Sequence, residues 1–201
     1  KEVNITGCTF ENNGLGDHNT ANRYVIEVET ATQLNYHSNV ISYSETRYAG
    51  GLNTQSASAY ILNSEFSKLH KNSAIYYVLD SHGSIEVSEC VFDGLQGTYS
   101  SEVFTYSAFS IKSESVTFQQ NIIQKCELPI VVPASGNLKS QFYGIGQFEC
   151  PDVGLNYCQF MNNKCSYTST SICGGGSGII FESLQSLTIK NSQFSNNKAN
   201  V

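Results

Sequence analysis

The sequence predicts an all-β fold, a right-handed, single-stranded parallel β-helix of about seven to eight turns. Three observations predict it. An eight-residue apolar pattern recurs along the chain, and its anchors Ile41, Phe66, Phe92 and Phe118 are spaced by 25 or 26 residues. Inside each copy apolar and polar residues alternate, which is the period of a strand. Neutral polar residues dominate the remainder, with 27 Ser and 19 Asn against only 14% charged residues. Such side chains suit stacked strands, where hydroxyls and amides pair along a ladder.

The unit reads apolar, variable, apolar, two variable, small, variable, large apolar. Its copies are Val3–Phe10, Leu34–Ile41, Ala59–Phe66, Ile85–Phe92, Ile111–Phe118, Val153–Phe160 and Leu187–Phe194. A degenerate copy ending near Phe142 divides the long interval before Phe160. Stacking the copies gives one inward core column: Phe10, Ile41, Phe66, Phe92, Phe118, Phe142, Phe160 and Phe194. A second, tighter inward column holds Cys8, Asn39, Ser64, Cys90, Val116, Cys158 and Ser192. Second strands are expected at Tyr24–Val28, Ala74–Leu79, Val103–Tyr106 and Gly178–Phe181. Each coil then has three short strands, and rungs about 4.8 Å apart make a rod roughly 35 Å long.

The whole chain, residues 1–201, reads as a single β-helix segment, expected to be part of a longer repeat protein. The net charge of −6 and the lack of a basic patch exclude nucleic acid as a partner. The apolar runs Leu128–Pro133 and Gly178–Phe181 are too short to span a bilayer as helices. Seven cysteines favour an oxidising compartment. No cysteine or histidine spacing suits zinc, and no cofactor motif is found. Cys126 follows Phe118 by eight residues and Cys150 follows Phe142 by eight, so these two are disulfide candidates. Cys165 and Cys173 bracket a short loop and are the second candidate pair. Cys8, Cys90 and Cys158 are expected as small buried residues. Asn4-Ile5-Thr6 is a glycosylation sequon with Asn4 as acceptor.

The tetrapeptides Phe10-Glu11-Asn12-Asn13, Phe118-Gln119-Gln120-Asn121, Phe160-Met161-Asn162-Asn163 and Phe194-Ser195-Asn196-Asn197 resemble the FxxN repeat of chlamydial-type polymorphic membrane proteins. The resemblance implies a pectate-lyase-like β-helix displayed outside the cell and used for adhesion. In that family FxxN alternates with GGA followed by Ile, Leu or Val. The nearest counterparts here are Gly50-Gly51-Leu52 and Gly176-Ser177-Gly178-Ile179.

Enzymes of this fold need converging carboxylates, or carboxylates for calcium beside a basic residue. Glu86 and Glu114 are expected on adjacent rungs, with Lys112 beside Glu86 as a surface ion pair. Asp80-Ser81-His82 and Asp17-His18 read as turns. No elbow positions a serine nucleophile, and Gly174–Gly178 lacks the lysine of a phosphate loop. Tyr24, Tyr36, Tyr43, Tyr48, Tyr60, Tyr76, Tyr77 and Tyr106 could form contact surface, although Tyr is also simply a good strand residue. These signals together lead to an expectation of a non-enzymatic structural or adhesive β-helix, extracellular or at the cell surface, with no catalytic residues, metal or cofactor. Its partners are expected to be segments or copies stacking at the rod ends, or cell-surface glycans and proteins. The alternatives are a polysaccharide lyase or hydrolase, or a carbohydrate-binding module, on the same fold.

Overall fold

Strand-forming octets that cannot bury their apolar side alone must stack on one another. The computed structural model shows this, and it describes residues 1–11, 24–29, 31–42, 50–70, 73–78, 83–99, 104–105, 107–130, 144–167 and 178–200. The first turn consists of β1 (Glu2–Thr6), β2 (Thr9–Glu11) and β3 (Tyr24–Val28), the second of β4 (Gln33–His37), β5 (Val40–Ser42) and β6 (Gly50–Thr54). The third has β7 (Ser58–Leu62), β8 (Glu65–Ser67) and β9 (Ile75–Val78). The fourth has β10 (Ser84–Ser88), β11 (Val91–Asp93), β12 (Thr98–Tyr99), β13 (Phe104–Thr105) and β14 (Phe109–Lys112). The fifth comprises β15 (Ser115–Gln119), β16 (Ile122–Gln124), β17 (Glu127–Ile130) and β18 (Gly146–Glu149). The sixth follows as β19 (Asp152–Asn156), β20 (Gln159–Met161), β21 (Lys164–Tyr167) and β22 (Ile179–Glu182), and the seventh as β23 (Ser186–Lys190), β24 (Gln193–Ser195) and β25 (Lys198–Asn200).

Equivalent strands of successive turns pair in parallel, so the chain is a parallel β-helix, with seven turns among the described residues. The first wall is β1-β4-β7-β10-β15-β19-β23 and the second is β2-β5-β8-β11-β16-β20-β24. The third wall is β12-β17-β21-β25, with β13 added antiparallel at its edge, and the fourth is β3-β6-β9-β14-β18-β22. Turns four to six therefore have four strand-bearing sides, one more than the three expected from sequence.

Alternation along each strand sends every second side chain inward. On the first wall the pairs Leu34/Tyr36, Ala59/Ile61, Ile85/Val87, Val116/Phe118 and Val153/Leu155 are all buried. On the second wall the register is Phe10↔Ile41↔Phe66↔Phe92↔Ile123↔Phe160↔Phe194. The anchor column thus runs as expected except on the fifth turn. There Phe118 belongs to the first wall, opposite Val87 and Leu155, and Ile123 takes the anchor position. Both Phe118 and Ile123 are fully buried, and the Phe118 ring still stacks on Phe92 at 6.1 Å. Phe142 lies outside the described residues. The expected strand at Val103–Tyr106 is also displaced: Phe104–Thr105 pairs antiparallel with Thr98–Tyr99, and the fourth-wall strand of that turn is Phe109–Lys112.

On the second, third and fourth turns two small residues and a large apolar one lead the chain into the fourth wall. Backbone bonds align Gly51, Ala74, Ala108, Ile145 and Gly178 in one column. Gly50-Gly51-Leu52, Ser73-Ala74-Ile75 and Ser107-Ala108-Phe109 are thus equivalent triplets, whereas the fifth turn places the buried Ile145 in the same column. A Cβ on Gly51 would lie 2.4 Å from the Ala74 carbonyl oxygen.

Candidate functional site

The first two walls meet at a corner made by two residues, and the second and third walls meet at another of the same design. The first residue of each corner takes a left-handed backbone conformation, seen at Gly7, Ser38, Asn63, Glu89, Gln120, Tyr157 and Asn191, and again at Lys68, Gly94, Lys125, Asn162 and Asn196. Only two of these are glycine, and a side chain held at positive φ carries a cost of about 1 kcal/mol or more. The stack offsets that cost, since the backbone N–H of this residue donates to a carbonyl of the next turn, as from Glu89 to Gln119 at 3.0 Å and from Tyr157 to Lys190 at 3.0 Å.

The second corner residue is Cys, Asn or Ser at most corners, and Leu69 and Leu95 at the second corner of turns three and four. Where it is Cys8, Asn39, Cys90, Cys126, Cys158 or Asn163, the side chain one turn later accepts its backbone N–H. Cys8 N–H donates to Asn39 Oδ1 (2.8 Å), Asn39 N–H to Ser64 Oγ (3.2 Å) and Cys90 N–H to Asn121 Oδ1 (2.8 Å). At the second corner, Cys126 N–H donates to Asn163 Oδ1 (3.0 Å) and Asn163 N–H to Asn197 Oδ1 (3.1 Å). The Asn side chains also donate: Asn39, Asn121, Asn163 and Asn197 reach the carbonyls of Ile5, Val87, Ile123 and Phe160 at 2.7–3.1 Å. Here lies the physical meaning of the FxxN tetrapeptide. Its Phe fills an inward column, and its Asn, three residues on, satisfies the main chain of the preceding turn.

Cysteine performs the same task with sulfur. Cys90 Sγ lies 3.4 Å from the Ile61 carbonyl oxygen and Cys158 Sγ lies 3.2 Å from that of Phe118, the carbonyls an Asn there would reach. Burial pushes the Cys90 thiol up to about 12, opposed by a backbone hydrogen bond from Ser64, the preceding corner residue. Cys126 is likewise pushed up to about 12 by burial, opposed by a backbone hydrogen bond from Leu95, and burial also raises Cys158. These are protonated, shielded thiols, poor nucleophiles and poor metal ligands.

The disulfide expectation fares accordingly. Cys126 and Cys150 are both free. Cys126 serves the second corner, whereas Cys150 follows β18 on the fourth wall and accepts from Ser113 Oγ at 3.7 Å. The pairing inferred from Phe118 and Phe142 fails because Phe118 is not in the anchor column. Cys165 is buried on β21, opposite Leu128, and its expected partner Cys173 lies outside the described residues.

The outer face of the first wall is the broad polar surface. Its central column runs Asn4, Asn35, Tyr60, Glu86, Thr117, Gly154 and Thr188. Asn35 Nδ2 donates to Asn4 Oδ1 at 2.7 Å and to Glu2 Oε1 at 2.8 Å, an amide ladder between turns. Ser58, Ser84 and Ser115 form a neighbouring hydroxyl column. Glu86 stands between Tyr60 and Thr117, not beside Lys112. Lys112 lies on the fourth wall and pairs with Glu149 at 3.1 Å, and Glu114 falls in the bend before β15. The ion pairs Lys125–Asp93 (3.6 Å) and Lys164–Glu127 (3.3 Å) also bridge adjacent turns. Asp17, His18, Asp80 and His82 lie outside the described residues. Among the described residues no cluster of three His, Cys, Asp or Glu could hold a metal ion, and no helix is long and apolar enough to cross a membrane.

The tyrosines divide by face, inward or outward, within a wall. Tyr36 and Tyr77 are core residues with no exposed surface, and Tyr24 is nearly buried, its ring stacked on Tyr76 at 5.7 Å. Tyr77 Oη donates to the Ser56 carbonyl at 2.7 Å, whereas the buried Tyr36 Oη has no partner among the described residues. Tyr60 is 36% exposed at the centre of the first wall, and Tyr157, absent from the expected set, is 56% exposed at a corner. Tyr43, Tyr48 and Tyr106 lie outside the described residues. Asn4, the sequon asparagine, is exposed on β1. No protein-family model, curated protein or solved structure matches the chain.

Proposed function

We propose that the chain is a non-enzymatic structural or adhesive segment of an extracellular surface or filament protein. One observation carries this reading: its polar side chains are spent on holding turn to turn. The corner amides, the Asn4–Asn35 ladder and the rung-bridging ion pairs all point along the stack axis. On the first wall the carboxylates Glu2, Glu86 and Asp152 occupy the first, fourth and sixth turns, so no two of them are neighbours along the stack. The FxxN geometry supports the likeness to polymorphic membrane proteins, as do the small-small-large triplets of the fourth wall. The exposed Asn4 sequon agrees with an extracellular setting.

A carbohydrate-binding reading is favoured by a single feature, the exposed Tyr60 ring between Asn35 and Glu86, since aromatic faces and amides recognise sugars. Beads coated with the chain test both readings against cells, matrix proteins and polysaccharides, with soluble products measured in parallel. Retention without product supports the proposal. Release of shortened oligosaccharides overturns it, and retention on polysaccharide that vanishes in Tyr60→Ala favours the second reading.

A further inference from the structure

The outer face of the fourth wall changes character along the stack. On turns four and five its outward side chains include Ser110, Lys112, Gln147 and Glu149, and Lys112 pairs with Glu149 at 3.1 Å. On turns one to three they include Glu27, Asn53, Tyr76 and Val78, and no lysine or arginine stands on β3, β6 or β9. Asn53 occupies the middle of this stretch, opposite Glu27 on the turn before and Tyr76 on the turn after. Its Oδ1 is buried yet has no hydrogen-bond partner among the described residues. A buried oxygen left unpaired is costly. Strands flank Asn53 on both sides, so this unmet bond belongs to the interior of the stack.

The groups around it share one need. A Cβ on Gly50 would lie 2.4 Å from the Tyr24 ring, so glycine leaves that ring room to cross turn two. It stacks on Tyr76 of turn three, the centroids 5.7 Å apart. Burial pushes the Tyr24 phenol above its ordinary value, and Tyr76 and the Glu27 carboxylate push it the same way. Glu27 is exposed, and the described ion pairs all lie elsewhere. Two aromatic rings, a carboxylate and an unpaired amide oxygen thus stand on three adjacent turns. An ammonium group carries three donors and no acceptor, and tyrosine faces attract it.

We propose that Asn53, Glu27 and the Tyr24–Tyr76 pair form a binding site for a lysine ammonium of a partner protein. This rests on the adhesive reading above and names the chemistry of the partner. Asn53 Oδ1 and the Glu27 carboxylate accept hydrogen bonds from the ammonium, and the tyrosine rings lie against its alkyl stem. Docking shifts the side chains around Oδ1, which is closed to solvent in the free chain.

Titration of a fluorescent oligolysine peptide with the chain, read by polarisation, tests it. Binding is expected, and acetylation of the lysines, which removes their charge, should abolish it. The net charge of −6 attracts any cation, so the variants are chosen to separate the site from that general field. Asn53→Leu, which changes no charge, and Glu27→Gln should each weaken binding about tenfold or more. Glu86→Gln removes the same charge from the first wall and should leave binding essentially unchanged. Asn53→Leu should also melt no lower than the parent, since it deletes an unpaired buried oxygen. Absent binding, or equal binding by Asn53→Leu and the parent, overturns the proposal. A marked loss of stability in Asn53→Leu overturns it too, because the amide would then already be bonded within the fold. A chain that fails these tests yet retains matrix proteins in the bead assay overturns the ammonium site and leaves the adhesive reading standing.

Discussion

The Asn121 side chain joins two turns at once: its Oδ1 accepts the Cys90 N–H at 2.8 Å while its Nδ2 donates to the Val87 carbonyl at 2.7 Å. Both partners are wholly buried, so water cannot replace the amide. Leaving a buried polar group unpaired costs about 1–3 kcal/mol. Asn121→Ala is thus expected to lower stability by about 3 kcal/mol, read from the urea midpoint at unchanged slope. Asn35→Ala, which removes an exposed ladder amide, should cost less than about 0.5 kcal/mol. Equal losses in the two variants would count against the corner as a special site.

If Cys90 acts through its hydrogen bonds, hydroxyl should replace thiol better than hydrocarbon does. Ser64 already fills this position, its Oγ donating to the Leu62 carbonyl at 2.8 Å. Cys90→Ser is expected within about 1 kcal/mol of the parent, and Cys90→Val about 1–3 kcal/mol below it. The reverse order, measured by thermal or urea unfolding, would make the residue a packing element only.

Stability should fall in alkali. Burial pushes the thiols of Cys90, Cys126 and Cys165 up to about 12 from an ordinary value of 9.0. Between those limits the unfolded chain releases protons that the folded chain retains, so folding weakens as pH rises. The contribution is complete below pH 9 and is lost on the way to 12. Tyr77, also pushed up to about 12 by burial, adds in the same direction from its ordinary 10.0. Unfolding free energy should be level from pH 7 to 8.5 and decline above 9, with a shallower decline in Cys90→Ser/Cys126→Ser. A flat profile to pH 11 would mean these thiols ionise freely in the fold.

Tyr36 and Tyr77 make a matched pair of core phenols, one without a hydrogen-bond partner among the described residues and one bonded to Ser56. Tyr36→Phe should leave stability unchanged or raise it by about 1 kcal/mol, whereas Tyr77→Phe should lower it by about 1 kcal/mol. The comparison of melting temperatures is direct, because both rings keep their packing. A loss in Tyr36→Phe as large as in Tyr77→Phe would show that the Tyr36 hydroxyl is bonded after all.

The β-helix was legible because its strands carry a strict alternation and its inward columns favour large apolar residues. Register was legible only where one apolar type occupies one column. On the fifth turn both corners carry a large apolar residue followed three positions later by Asn or Cys: Phe118 with Asn121, then Ile123 with Cys126. The two corners share one five-residue grammar, so ranking anchors by side-chain size selects Phe118 and shifts the turn by a corner. That single slip misplaced Lys112 beside Glu86 and paired Cys126 with Cys150. The fourth wall was harder to read because its signal is an absence of bulk. Ser73-Ala74-Ile75 and Ser107-Ala108-Phe109 resemble Gly50-Gly51-Leu52 only once the strand register is known, and Ile145 breaks the pattern in the same column. The polar face of the first wall was readable position by position wherever that register held, including Tyr60 between Asn35 and Glu86.

The corner bonds also give the molecule a direction in time. Asn39 serves Cys8, Ser64 serves Asn39, Asn121 serves Cys90 and Ser192 serves Cys158, always the later residue completing the earlier. A ribosome delivers the chain in that same order. Each coil therefore emerges with an inward amide still waiting, and is finished only when the next coil has been synthesised and laid against it. Assembly can advance from the amino end like brickwork, one course behind the mason.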